Sequence, residues 1–143
     1  MASSLKTDMV NHPPHYTFGR FEVKDVLYSW FAHEALLWQV AKYVARCEHK
    51  DNYKQDLEKA LFYVREAIIV ENAHPESHVR PDSRFALDEV VDDWFFIEDA
   101  ASYVHTLLRD VISDLYIAVY DSENYLKYLA HAEKSLVELI RLA

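Results

Sequence analysis

One glycine, one cysteine and four prolines among 143 residues rule out several ways of building a protein around a ligand. A Walker-type phosphate loop needs several glycines so that backbone amides can approach the phosphates, and Gly19 alone does not supply one. A lone Cys47 excludes an intramolecular disulfide framework and a cysteine-based zinc site, and it points to a reducing compartment. No run is long and apolar enough to span a membrane, and the opening residues Met1-Ala-Ser-Ser-Leu-Lys6 lack the pattern of a signal peptide. Positive charge is also scarce. Against 24 Asp and Glu there are 15 Lys and Arg, and a net charge of −9 argues against general binding to nucleic acid.

What remains is helix-forming. Apolar residues make up 51% of the chain and aromatic ones 14%, enough to bury a core in one domain or in two small halves sharing one. Gly19 and all the prolines fall outside the long periodic runs, so the reading is all-α, a compact bundle of about five helices. Residues 1–10 read as a flexible tail. A short helix is expected over Phe21–Phe31 and a second over 33–48. A third, capped by Asp51 or Asn52, runs through Leu57, Leu61, Val64 and Ile68. The polar, proline-bracketed stretch 74–83 is the best internal boundary. Asp82 or Ser83 then caps a long helical pattern over 84–119, bent or broken somewhere, and Asp121 or Ser122 opens the last helix.

Two features stand out against this background. Asn11-His12-Pro13-Pro14-His15-Tyr16 is a stiff extended loop, because adjacent prolines fix φ and neither donates to a helix or sheet. It presents ring nitrogens, an amide and a phenol. Partway along the second helix lies a cationic stripe of Lys42, Arg46, His49 and Lys50. Residues 42–65 carry six basic side chains, whereas 86–123 carry ten acidic ones and only Arg109 as a basic one. Such faces can simply be solvated and pair with each other. They can also form a local anion site, for which a nucleotide is the natural ligand. Phe21–Phe31 also aligns without gaps to Phe85–Phe95, with Phe, Val, Trp and Phe coinciding, which raises an internal repeat.

Asn11–Tyr16, Phe21-Glu-Val-Lys-Asp-Val26, Ala41-Lys-Tyr-Val-Ala-Arg46, Lys50, Asp56-Leu-Glu-Lys-Ala60 and Tyr63 together resemble a small phage family of unknown function, DUF3310. Its members are often described as nucleotide kinases, relatives of the T7-type deoxynucleoside monophosphate kinase. The resemblance spans residues 9–70 and is silent on 84–143. It implies a phage protein of the host cytoplasm that binds a deoxynucleoside monophosphate. It also implies phosphoryl transfer to that ligand from a nucleoside triphosphate with Mg²⁺. On this reading residues 11–73 form the nucleotide-binding half. Arg46 grips phosphate bidentately with Lys42 beside it, and Lys50 and Lys59 neutralise further charge. His12 and His15 contact phosphate or base, Asn11 pairs with a base edge, and Tyr16 or Tyr43 stacks on it. No catalytic residue can be assigned.

Other readings stay open. Lys42 and Arg46 can snorkel and pair with Glu66 or the acidic half, and the loop histidines can be tied to backbone. A metal site is not expected, since two histidines need a third donor and none is near in sequence. Glu98 and His105, one heptad apart, read as a buried pair or a pocket lining. Glu89, Asp92 and Asp93 invite comparison with Mg²⁺-dependent nucleotide pyrophosphohydrolases, although most of them fall on a polar face. A non-catalytic nucleotide binder and a host-directed inhibitor acting through residues 84–143 complete the alternatives. The aromatic second half (Trp94, Phe95, Phe96, Tyr103, Tyr116, Tyr120, Tyr125, Tyr128) suggests a homo-oligomer.

Overall fold

The computed structural model describes residues 14–96 and 102–143. Those residues form six α-helices and no strand: α1 (Val23–Phe31), α2 (Ala35–Arg46), α3 (Tyr53–Ala73), α4 (Leu87–Trp94), α5 (Tyr103–Tyr120) and α6 (Tyr125–Leu142). Short 3-10 turns lie at Pro14–Tyr16, Cys47–His49 and Ser122–Asn124. The expected tail, together with Asn11, His12 and Pro13, lies outside the described residues, so the stiff loop is seen only from Pro14 onward. No helix among the described residues is long and apolar enough to cross a membrane.

The helix count exceeds the expected five because the 84–119 pattern is two helices. α4 ends at Trp94, where Phe95 leaves the helical region with φ −131° and ψ 59° and buries its ring. α5 restarts at Ser102, whose hydroxyl accepts the His105 N–H at 3.2 Å. Hydrophobic period cannot see such a break, because both sides keep the same 3.6-residue repeat. The expected cap also moves. α4 begins only at Leu87, and Asp82 instead accepts the Arg84 N–H at 3.0 Å and a hydrogen bond from the Ser29 hydroxyl. Asn52 does precede α3, but its carbonyl, not its side chain, takes the Asp56 N–H at 2.8 Å.

α2 pairs with α3 and α5 with α6. The two pairs pack α3 on α6 and α2 on α5. With α1 packed on α2, these helices bury Trp30, Phe31, Leu37, Val44, Leu57, Leu108, Ile112, Leu129 and Leu136, each 2% exposed or less. Truncating one of the large ones to Ala would cost about 3–5 kcal/mol. Of the aromatics expected to drive association, Trp94, Phe95 and Tyr125 are buried within the chain, while Phe96, Tyr103 and Tyr120 are exposed.

The two segments that align in sequence also meet in space, and they do so reciprocally. The Trp30 indole N–H donates to the Phe85 carbonyl at 3.3 Å, and that of Trp94 donates to the Phe21 carbonyl at 3.0 Å. The rings of Phe21 and Phe85 meet edge-on between them at 5.6 Å. This is the arrangement produced by a local pseudo-two-fold axis.

The boundary stretch 74–83 carries no helix, yet it is pinned down. The His78 ring stacks on Tyr125 at 3.9 Å and 12°. Its Nδ1 lies 2.7 Å from Glu34 and its Nε2 3.0 Å from Glu71.

Candidate functional site

The cationic stripe of α2 is where expected, and the residues around it form a compact cluster. Lys42 and Arg46 are four residues apart, so they share one helix face, with Tyr43 beside them. Across the α2–α3 pair, Asp56, Lys59 and Tyr63 stand at i, i+3 and i+7 on the facing side of α3. Three cations crowd the Tyr43 ring: Lys42 Nζ at 4.4 Å from its centroid, the Arg46 guanidinium at 4.6 Å and Lys59 Nζ at 5.4 Å. Tyr63 lies parallel to the same ring at 6.1 Å. Such contacts hold ammonium groups by the ring's negative face.

Arg46 is the centre of the cluster and is 9% exposed. Its Nη1 donates to the Tyr16 hydroxyl at 2.8 Å, which ties the N-terminal loop to α2. Its Nη2 meets Asp56 at 3.4 Å, and that carboxylate is itself 1% exposed. Burial works against the Arg46 charge. The Tyr16 oxygen and the Asp56 carboxylate outweigh it, so the guanidinium is held protonated with a raised pKa. The pair is incomplete, because Arg46 Nε and Asp56 Oδ2 are both buried and have no hydrogen-bond partner among the described residues. Each such orphan costs about 1–3 kcal/mol.

His15 stands against Tyr16, ring centroids 4.2 Å apart. Burial, then the positive charges of Lys50 and Arg46, pull its pKa down, while Asp56 opposes them. The ring is therefore neutral at pH 7. His49, expected in the cationic stripe, stacks on Phe18 at 3.6 Å and 9° and so presents an aromatic surface. Burial pulls its pKa down, against the charge of Glu48.

The structure thus brings together His15, Tyr16, Lys42, Tyr43, Arg46 and Lys59, with Lys50 exposed at the edge. Asn11 and His12 lie outside the described residues. Arg46 pairs with Asp56 of α3, rather than with Glu66 or the acidic half. The partner roles of Asp56 and Tyr63 were missed by sequence reasoning. Their spacing with Lys59 on one helix face was the available signal. Nothing in the sequence marks the Phe18–His49 stack.

The second-half suspects are engaged elsewhere. Glu98 lies outside the described residues, and His105 is a surface residue bonded to Glu48 at 2.9 Å rather than a core member. Asp92 takes a hydrogen bond from Arg109 at 2.5 Å, and Asp93 accepts backbone N–H groups of the loop before α1. Among the described residues no three His, Cys, Asp or Glu side chains are grouped so as to hold a metal ion.

A protein-family model described as a protein of unknown function, DUF3310, matches residues 10–65. The chain is similar to that family over this stretch. The match takes in the loop, α1, α2 and the first half of α3, and with them every side chain of the Arg46 cluster. It leaves out α4, α5 and α6. No curated protein and no solved structure matches the chain.

Proposed function

We propose that the Arg46 cluster binds the phosphate of a small nucleotide, and that the protein is a phage nucleotide-binding protein acting in the host cytoplasm. The observation that carries this reading is the convergence of Lys42, Arg46 and Lys59 on one aromatic ring. Lys42 and Lys59 have no carboxylate partner among the ion pairs of the described residues. Three cations held close together repel one another, and a bound anion relieves that cost. A phosphate oxygen or ligand hydroxyl would also satisfy the buried Arg46 Nε or Asp56 Oδ2. The parallel Tyr43 and Tyr63 rings and the Phe18–His49 stack offer flat surfaces for a base.

The activity proposed is transfer of a phosphoryl group from a nucleoside triphosphate to a deoxynucleoside monophosphate. Positioning and charge neutralisation would supply the catalysis. The residues present fit poorly as Mg²⁺ ligands. Asp56 touches Arg46 with one oxygen and is 1% exposed, so any Mg²⁺ would arrive on the donor's phosphates. That commitment of Asp56 also favours a second reading, a binder that sequesters its nucleotide unchanged. On either reading residues 84–143 serve as a degenerate repeat acting as a built-in partner. The reciprocal Trp30 and Trp94 bonds support this.

Calorimetry with deoxynucleoside monophosphates, and with inorganic phosphate as reference, tests binding. An NMR titration of His15 tests the place, since a bound anion must raise its lowered pKa. Phosphorus NMR after adding a nucleoside triphosphate and Mg²⁺ then separates transfer from sequestration. No affinity for any nucleotide, with His15 unmoved, sinks both readings.

A further inference from the structure

The loop that carries Tyr16 and Phe18 to the cluster is gripped from outside the matched segment. Asp93, near the end of α4, accepts the Arg20 N–H on Oδ1 at 2.9 Å and the Phe21 N–H on Oδ2 at 3.0 Å. The next residue, Trp94, donates its indole N–H to the Phe21 carbonyl at 3.0 Å. One carboxylate and one indole thus satisfy three backbone groups that precede α1 and have no helix to join. The fit is close. A Cβ added to Gly19 would lie 2.9 Å from Asp93 Cγ and closer still to its Oδ2, so the chain's only glycine sits where the carboxylate meets the backbone.

α4 is in turn anchored. Arg109 of α5 donates to the Phe95 carbonyl at 3.3 Å and to the Val91 carbonyl at 3.2 Å, the latter also accepting the Phe95 N–H at the end of the helix. At its other end the loop makes two contacts with the cluster, Tyr16 on Arg46 and Phe18 on His49. Only four residues lie between Tyr16 and Phe21, too few to absorb a shift at one end without moving the other.

We propose that Asp93 and Trp94 are positioning residues for the Arg46 site: by holding residues 19–21 they set where Tyr16 and Phe18 stand. The half of the chain outside the matched segment thereby governs the site inside it. As far as ligand affinity is concerned, this rests on the reading of the cluster as a nucleotide site. The coupling between α4 and Tyr16 does not depend on it.

The test uses the full chain with Asp93→Asn, which places an amide N–H₂ against a backbone N–H, and Trp94→Phe, which keeps a ring but loses the bond. Two signals are read: the ring NMR resonances of Tyr16 without ligand, and the calorimetric affinity for a deoxynucleoside monophosphate. Both variants should displace the Tyr16 resonances and weaken binding about tenfold or more. Leu139→Ala, a core truncation on α6, controls for loss of stability. It should lower the melting temperature without moving either signal. Tyr16 resonances unmoved in Trp94→Phe and in a folded Asp93→Asn overturn the proposal whether or not a ligand binds. A wild-type protein that binds no nucleotide while its variants still displace Tyr16 defeats the site reading and leaves the coupling standing. Equal affinity of wild type and both variants defeats the control of binding.

Discussion

Replacing His78 by Phe should destabilise the protein and remove part of its pH dependence. Both ring nitrogens of His78 face carboxylates, Glu34 at 2.7 Å and Glu71 at 3.0 Å, and a neutral imidazole has only one N–H to give. The geometry therefore calls for the imidazolium. The side chains are close to dry, with His78 6% and Glu34 8% exposed. Burial alone would lower the His78 pKa. The hydrogen bonds and charges of Glu34 and Glu71 outweigh it and raise the pKa. From α6, Tyr125 stacks on the ring and donates to Glu34 at 3.2 Å, and Glu76 and His33 also line the adjoining cavity of about 210 Å³. Phe preserves the stack and leaves two buried carboxylates without their cation, which costs about 3–5 kcal/mol. For a chain of this length that is a fall of about 10 °C or more in melting temperature. The sign in pH follows from the raised pKa. The stabilisation is complete below the unfolded value near 6.5 and fades as pH climbs through the higher folded value. Wild-type melting temperature should thus drop from about pH 6.5 upward, with residues 74–83 losing hydrogen-exchange protection, and His78→Phe should lack that slope. A variant as stable as wild type at pH 6.5, or one that keeps the slope, would refute the ion-triad reasoning.

Three further outcomes follow. Arg46→Ala strands the buried Asp56, so it should cost about 3–5 kcal/mol in denaturant unfolding and abolish phosphate-dependent binding, whereas Lys59→Ala should weaken binding alone. Burial pushes the Asp114 carboxyl up to about 6, against the pull of His131 at 2.5 Å. The folded state therefore holds a proton that the unfolded chain has released, and stability at that site falls as pH rises from about 4 to about 6. Asp114→Asn should flatten the unfolding curve in that window, and an unchanged curve would show that the carboxyl titrates normally. The Cys47 thiol is fully buried and its pKa is pushed far up by burial, so a thiol reagent at pH 7 should label it only after denaturant is added.

Much of the frame is legible from residue types and their spacing. Period placed α1, α2, α3 and α6 within a few residues, and four-residue spacing put Lys42 and Arg46 on one face. The break expected somewhere in 84–119 could not be located, because Phe95, which the structure buries, continues the apolar pattern past the end of α4. The stack of His49 on Phe18 was not legible, because it joins residues 31 positions apart. What pins the boundary stretch 74–83 was out of reach for a similar reason: His78 acquires its role from Glu34 and Glu71 of other elements.

By itself the order of amino acids determined the helical class, the gapless likeness of 21–31 to 85–95, and the stock of cations on α2 and α3. These depend only on neighbours within a turn or two, and a helix fixes such neighbours by its geometry. Tertiary packing alone decided that Asp56 would hold Arg46, that Asp93 would grip the loop 72 and 73 residues away, and that the two tryptophans would bond reciprocally. Those pairings join groups far apart in the chain. Their energy depends on burial and on distances of about 3 Å, which exist only once the helices are packed.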